Sequence, residues 1–313
     1  MLRKVLAEAM FYQGVALLKE DRARRAALYL ALARRLEPQN ADFLFAAARA
    51  ADRAKRGDKA VQYCERALEL RPDHPGAHEL LTRMFLHGED YFHVLARIHG
   101  HLRPMTYVEI GVETGASLAL AAPGTVALGI DPAPAIQFEL PDGARIFAET
   151  SDDFFAKRDV RAELGGLPVG LALIDGMHHF DFALRDFMNL ERVCAPGSTI
   201  LIHDCFPHDR RTASRERQTA FWSGDVWRLV VLLKKYRPEL WISTIAAPPT
   251  GLAVVRNLNP SSRFIADNFE RLCREFLALD YGYLDKGRKV KLNLIPNDWN
   301  KIRELLDRPI AVP

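Results

Sequence analysis

Seven short stretches of the chain are rich in apolar residues, most of them unbroken and not alternating. They are Tyr107–Ile110, Val126–Ile130, Arg145–Ala148, Val169–Ile174, Thr199–Ile202, Leu240–Ile245 and Leu252–Val255. Continuous apolar runs of this length predict strands covered on both faces. Helical periodicity fills the gaps, over Ala116–Ala121, Asp152–Leu164, His179–Val193 and Val226–Tyr236. Alternating strands and helices predict right-handed crossovers and a parallel sheet. The last two runs are separated only by Ala246-Ala-Pro-Pro-Thr-Gly251, too short for a crossover helix, so they predict an antiparallel pair.

The first 87 residues carry a different pattern. They are rich in alanine, leucine and arginine, with no strand-like run. Pro38 and Pro72 lie 34 residues apart in similar settings, and small residues recur at matching offsets before each: Gly14, Ala26 and Ala33, then Ala48, Ala60 and Ala67. Antiparallel helices approach closely only where side chains are small, and proline ends the second helix of each pair. The spacing resembles tetratricopeptide repeats, with Leu30 and Cys64 at positions usually aromatic, and a capping helix follows near residues 76–87. Asp90–His99 predicts one more helix, with Phe92, Leu95 and Ile98 on one face.

The expected organisation is therefore an all-α helical-repeat domain over residues 1–87, an α/β domain over 88–260 and a helical C-terminal extension over 261–313. Composition agrees with a globular chain: 49% hydrophobic, 27% charged, net charge +3. That balance argues against a nucleic-acid or membrane-surface partner. No run of 18 apolar residues and no secretory signal is visible, and the cysteines, Cys64, Cys194, Cys205 and Cys273, form no CxxC. These features fit a cytoplasmic protein.

Candidate chemistry gathers where the predicted strands end. Gly111 and Gly115 follow the first strand and precede a predicted helix, a turn that brings backbone close to a ligand at a helix N-terminus. Asp131 closes the second strand, where an acid can hold ribose hydroxyls. Leu173-Ile-Asp175-Gly-Met-His178-His179 closes the fourth strand, with Asp186 following, and Ile202-His203-Asp204-Cys205 closes the fifth. In open α/β sheets this edge is where ligands bind. With no dinucleotide fingerprint and a terminal hairpin, S-adenosylmethionine fits this edge better than NAD. Further along, Ser223 or Asp225 is placed to cap the next helix, while Trp222 and Trp227 offer indole faces to an acceptor. The run His208–Arg217 is a polar loop that could act as an arginine-bearing lid.

Residues Tyr107 to Asp204 resemble the class I S-adenosylmethionine-dependent methyltransferases typified by macrocin-type and rhamnosyl sugar O-methyltransferases. The matching patterns are E-I-G-x-x-x-G-x-S, G-I-D, I-D-G-x-H and P-G-x-x-x-x-H-D. The resemblance implies a Rossmann-like fold, mostly parallel with a terminal antiparallel hairpin, and a cofactor site at Glu109, Gly111, Gly115, Ser117 and Asp131. It implies Asp175, Asp204 and His203 as ligands to a divalent cation, Mg²⁺ in the usual case, with Asp175 and His178 catalytic and His178 as base. His203 or Cys205 stands where the family often has a second acid, so a softer metal such as Mn²⁺, or no metal, stays open. The implied reaction is O-methylation of a sugar or other small-molecule hydroxyl, with the repeats binding a protein partner or self-associating. The alternative is an inactive methyltransferase fold serving as a scaffold through its repeats.

Overall fold

Small residues at helix crossings build the first part of the chain. In the computed structural model, which describes residues 1–310, Ala26, Ala33, Ala48, Ala60 and Ala67 are fully buried. Ala26 and Ala33 lie on α2 (Ala23–Leu36), Ala48 on α3 (Ala41–Arg53), and Ala60 and Ala67 on α4 (Gly57–Leu70); α1 (Leu2–Lys19) precedes these helices and α5 (Pro75–Phe85) follows them. A Cβ on Gly14 would stand 2.6 Å from the Leu30 side chain, so α1 meets α2 at a point only glycine permits. Leu44, Ala48, Cys64, Leu68 and Leu81 form the core of the next layer. Asn40 caps α3 by accepting the Phe43 N–H. These helices and the short segment Arg217–Trp222 make one compact unit.

The second unit comprises Leu86–Glu216 and the residues from Ser223 onward. After α6 (Tyr91–Leu102), whose Asp90 cap accepts the His93 N–H, come β1 (Thr106–Ile110), β2 (Val126–Ile130) and β3 (Ala144–Phe147). Then follow α7 (Ser151–Lys157), α8 (Val160–Glu163), β4 (Val169–Ile174), α9 (Phe180–Val193), β5 (Cys194–His203) and α10 (Trp227–Tyr236). The chain continues through β6 (Trp241–Ile245), β7 (Leu252–Arg256), α11 (Phe264–Leu277), α12 (Tyr281–Asp285), α13 (Arg288–Lys291), β8 (Leu294–Ile295) and α14 (Trp299–Leu306). The sheet order is β3-β2-β1-β4-β5-β7-β6-β8. Only β7 runs antiparallel to its neighbours. This is the mixed α/β, Rossmann-like arrangement with a helical region ahead of it. The strand order reverses between β1 and β4, which makes their carboxyl ends the natural crevice.

Two local expectations are corrected. The helix over Ala116–Ala121 is only a 3-10 turn, Leu118–Leu120. The Ser117 hydroxyl is drawn to Glu109 and so cannot cap a helix, and Pro123 follows too soon for one to grow. The span Asp152–Leu164 divides into α7 and α8, because Asp159 caps a new start by accepting from Arg161 and Ala162. The C-terminal region is mostly helical and also adds β8, which pairs parallel to β6, while Ile302 and Leu306 of α14 enter the core. Two residues of strand carry no readable periodicity.

The glycine contacts predict opposite outcomes for the same substitution. Gly14→Ala gains helix propensity but forces Leu30 aside, so it lowers the stability of the helical unit by ~1–2 kcal/mol. Gly100→Ala, within α6 and with nothing within 4 Å of the new methyl, raises stability by ~0.5–1 kcal/mol. Thermal unfolding of the two variants beside the parent chain checks both signs.

Candidate functional site

The crevice between β1 and β4 is closed by backbone. The Asp175 N–H donates to the Ile110 carbonyl (2.8 Å), and the Gly111 N–H donates to the Ile130 carbonyl (2.9 Å). Gly111 has φ +87°, and a Cβ there would stand 2.0 Å from the Asp175 carbonyl oxygen. Glycine is required at that point by the neighbouring strand end. The turn beyond it is held from Asp131, whose carboxylate accepts from the N–H groups of Val112, Glu113 and Ala133 at 2.8–2.9 Å. From beneath, the fully buried Glu109 accepts from the hydroxyls of Tyr107 and Ser117, each at 2.6 Å. Burial pushes the Glu109 carboxyl up to about 8 against the pull of those two hydroxyls, with Asp175 and Asp131 adding to the rise. Glu109 and Ser117 are thus bonded to one another, while Gly111, Gly115 and Asp131 shape the turn itself. Ile136 and Phe138 lie exposed on the adjoining segment, and Ala135 and Gln137 donate to the carbonyls of Glu113 and Thr114.

On the other side of the crevice, Asp175, His178, His203 and Asp204 converge. Asp175 Oδ1 lies 3.0 Å from His203 Nδ1 and 3.4 Å from His178 Nε2. Asp204 Oδ2 lies 3.0 Å from His178 Nε2 and 3.4 Å from His203 Nδ1. Burial would depress His203, but Asp175 and Asp204 override it and push the imidazole up to about 10. His178 is raised for the same reason, chiefly by Asp204 against its burial. Burial likewise opposes the charge on Asp175, yet the two imidazoles hold its carboxyl below the usual range. His178 and Asp204 both have φ +57°, a left-handed conformation uncommon outside glycine.

Asp175, His178 and Asp204 offer ligand atoms that all lie within 4.8 Å of one another. Two carboxylates and an imidazole form a donor set that fits a divalent cation. His203 is held differently. Its Nδ1 faces Asp175, its Nε2 is 3.2 Å from the Thr250 hydroxyl, and its ring stacks on Tyr91 at 3.9 Å. Cys205 is buried, with its thiol directed at the Ile202 carbonyl. His179 faces away from the carboxylates, its Nε2 lying 3.1 Å from the Arg215 carbonyl. A cavity of about 10 Å³, near the size of one water, lies among Gly176, Met177, His178, Asp186 and His203. Asp186 on α9 is buried beside it, and burial raises its carboxyl to about 7.

Sequence reasoning missed Tyr91 and Thr250. Tyr91 sits on α6 next to the apolar stripe, and its hydroxyl is 3.5 Å from Asp175 Oδ2. Thr250 belongs to the β6–β7 connection. Neither lies in a motif, so only the fold could reveal them. The capping expectation for Asp225 is corrected: its carboxylate accepts the Phe180 N–H at 2.6 Å, capping α9 and not α10. Asp225 also pairs with Arg228, and its own N–H donates to the His178 carbonyl. Ser223 donates to the Thr212 carbonyl. Trp227 is fully buried and cannot offer a face to an acceptor, while Trp222 belongs to the helical unit. The proposed lid is tied down in part, with Arg210 bidentate to Asp280 and Arg215 paired to Asp181.

Glu109 predicts a pH signature. A carboxyl held protonated in the folded state up to about pH 8, but ionised above about 4.5 when unfolded, loses stability as pH rises through that window. Glu109→Gln keeps the shape without the charge. It should match the parent near pH 5 and exceed it by ~1–3 kcal/mol near pH 9, read by thermal or urea unfolding at both values.

Comparison with known proteins adds the following. Residues 108–205 match the family model described as a methyltransferase domain. The search of curated proteins returned no match. Among solved structures, cofactor-bound Rv0187 from MTB is similar at 16% identity, with 61% of this chain and 94% of that chain covered and a TM-score of 0.42. The O-methyltransferase TomG from Streptomyces achromogenes, involved in tomaymycin synthesis and in complex with SAM, shows 12% identity over 54% and 80%, TM-score 0.40. An O-methyltransferase from Bacillus cereus in complex with SAH shows 12% identity over 62% and 96%, TM-score 0.39. The similarity to a methyltransferase domain is thus confined to residues 108–205, the segment that runs from β1 through β5.

Proposed function

We propose that the chain is an S-adenosylmethionine-dependent O-methyltransferase acting on a hydroxyl of a sugar or another small molecule. The observation that carries this reading is the convergence of Asp175, His178, His203 and Asp204 at the carboxyl edge of the sheet, inside the segment that matches a methyltransferase domain. In this reading the turn Gly111–Gly115 and Asp131 receive the cofactor. Asp131 spends three acceptor sites on backbone amides, and a carboxylate has about four, so one remains for a ribose hydroxyl. Ile136 and Phe138 supply exposed apolar surface beside the turn for the adenine.

When bound, the cofactor supplies an electrophilic methyl group, transferred from its sulfonium sulfur to the acceptor oxygen. In this reading His178, set beside the acceptor at this edge, would serve as the base for the proton that the oxygen releases. Asp204 and Asp175 aim the imidazole and, in this reading, hold a divalent cation, Mg²⁺ or a softer ion given the neighbouring histidines, which would polarise the acceptor hydroxyl. His203, fixed by Thr250 and Tyr91, keeps Asp175 Oδ1 in place. Positioning supplies the rest of the acceleration, because both reactants must meet in line across the sheet edge.

The helical unit we read as tetratricopeptide-like, supported by small residues at its helix crossings, and as the part that binds a protein partner or a second copy. A cytoplasmic location is supported by four cysteines that are all buried thiols. No helix among the described residues is long and apolar enough to cross a membrane.

Titration calorimetry with S-adenosylmethionine tests the central reading, and absence of heat at millimolar ligand would sink it. Asp131→Ala should weaken binding by roughly tenfold or more, since it removes the ribose acceptor and frees the turn. Asp204→Ala should bind the cofactor as the parent does yet lose turnover by ~100-fold, scored by mass shift of acceptors in a labelled extract. Retained turnover in Asp204→Ala removes the role given to that carboxylate.

A further inference from the structure

A groove of about 350 Å³ crosses the helical unit, formed by α2, the C-terminal half of α3 and the start of α4. Five cations line it: Arg24, Arg34 and Arg35 on α2, and Arg56 and Lys59 at the head of α4. No acidic side chain shares the lining among the described residues. The ion pairs of this unit lie elsewhere, at Arg22–Glu20, Arg53–Asp21, Arg66–Glu69, Arg71–Asp42 and Arg83–Asp52. Among the described residues, Arg24, Arg35, Arg56 and Lys59 have no carboxylate within ion-pair distance. Between the cations the wall is apolar, with Leu28 67% exposed and alanines beside it. The helical unit as a whole is also the positively charged part of the chain. Basic residues outnumber acidic ones in residues 1–85, and acidic ones prevail in the remainder.

We infer that this groove binds a short acidic peptide segment of a partner protein, with carboxylates flanking an apolar residue. The inference rests on the partner-binding reading of the helical unit and names the partner's chemistry. Arg24 and Arg35 stand 11 residues apart on one helix, about 16 Å at 1.5 Å per residue, which five or so extended residues would span. Carboxylates at the two ends meet arginine, and a side chain between them lies on Leu28. Single-stranded nucleic acid is the poorer fit, because it needs an open aromatic face. Tyr63 is the aromatic residue in the lining, and the Arg34 guanidinium sits over its ring at 4.8 Å.

Fluorescence anisotropy on the full chain tests this with a fluorescein-labelled heptapeptide of alternating glutamate and leucine. The expected result is saturable binding that weakens with added salt and is lost when glutamine replaces glutamate. Arg24→Glu with Lys59→Glu should weaken it by roughly tenfold or more, while Lys4→Glu with Lys19→Glu, outside the groove, should leave it unchanged. Far-UV circular dichroism checks that helix content is kept, and Arg24→Gln with Lys59→Gln gives a milder second reading in the same direction. The inference is overturned by absence of binding, by equal binding of the glutamine peptide, or by equal damage from the two reversals. An oligouridylate that binds with the same dependence on Arg24 and Lys59 overturns it too, in favour of nucleic acid. If the peptide fails while the intact chain still recovers a protein partner, the acidic chemistry falls and the partner reading stands.

Discussion

Asp175 is the residue through which both sides of the crevice are joined. Its N–H and carbonyl are fixed against the end of β1, the first by the Ile110 carbonyl and the second by contact with Gly111. Its side chain then has little freedom and faces His178, His203 and Tyr91 together. A carboxylate in such burial is costly unless it is paired and hydrogen-bonded. The two imidazoles meet that requirement, which is why they are pulled towards the charged form. Backbone packing at the strand reversal thus dictates where the charges stand, and the charges dictate the protonation of their neighbours.

Much of this was legible in the residues. Apolar-rich runs, most of them unbroken, located the seven longer strands, because a strand covered on both faces has little polar alternation to hide it. The short spacing between β6 and β7 revealed their antiparallel pairing. Asp175, His178, His203 and Asp204 were legible as a group because strand ends in a parallel sheet share one edge. What could not be read depends on contacts far apart in sequence. Asp225 caps α9 from 45 residues away, Thr250 reaches His203 across 47, and Tyr91 meets Asp175 across 84. The helix expected after β1 fails for a local reason: the Ser117 hydroxyl is taken by buried Glu109 and is not left to cap a helix.

A similar contrast separates Glu109 and Asp131, the acids of the first two motifs. Glu109 lies inside β1, with no water and only two hydroxyls to meet, so burial raises its carboxyl. Asp131 lies just past β2, where the free N–H groups of the turn converge on it. Glu109 sits inside its strand and meets hydroxyls, whereas Asp131 sits just past its strand and meets the amides of a turn.

The cluster's geometry is set by backbone more than by side-chain choice. His178 and Asp204 adopt left-handed conformations, and such positions cost on the order of 1 kcal/mol or more unless the surroundings impose them. For His178 the imposing contact is visible. Gly224 packs on its carbonyl so closely that a Cβ would stand 1.9 Å from the oxygen, and the Asp225 N–H donates to that same carbonyl. Asp225 is itself pinned by the first N–H of α9 and by Arg228. A change at Gly224 or Asp225 therefore reaches the imidazole without touching it, by releasing the strained turn that aims Nε2 between two carboxylates. Strain stored at one residue is held by a glycine and a cap more than forty residues further along the chain.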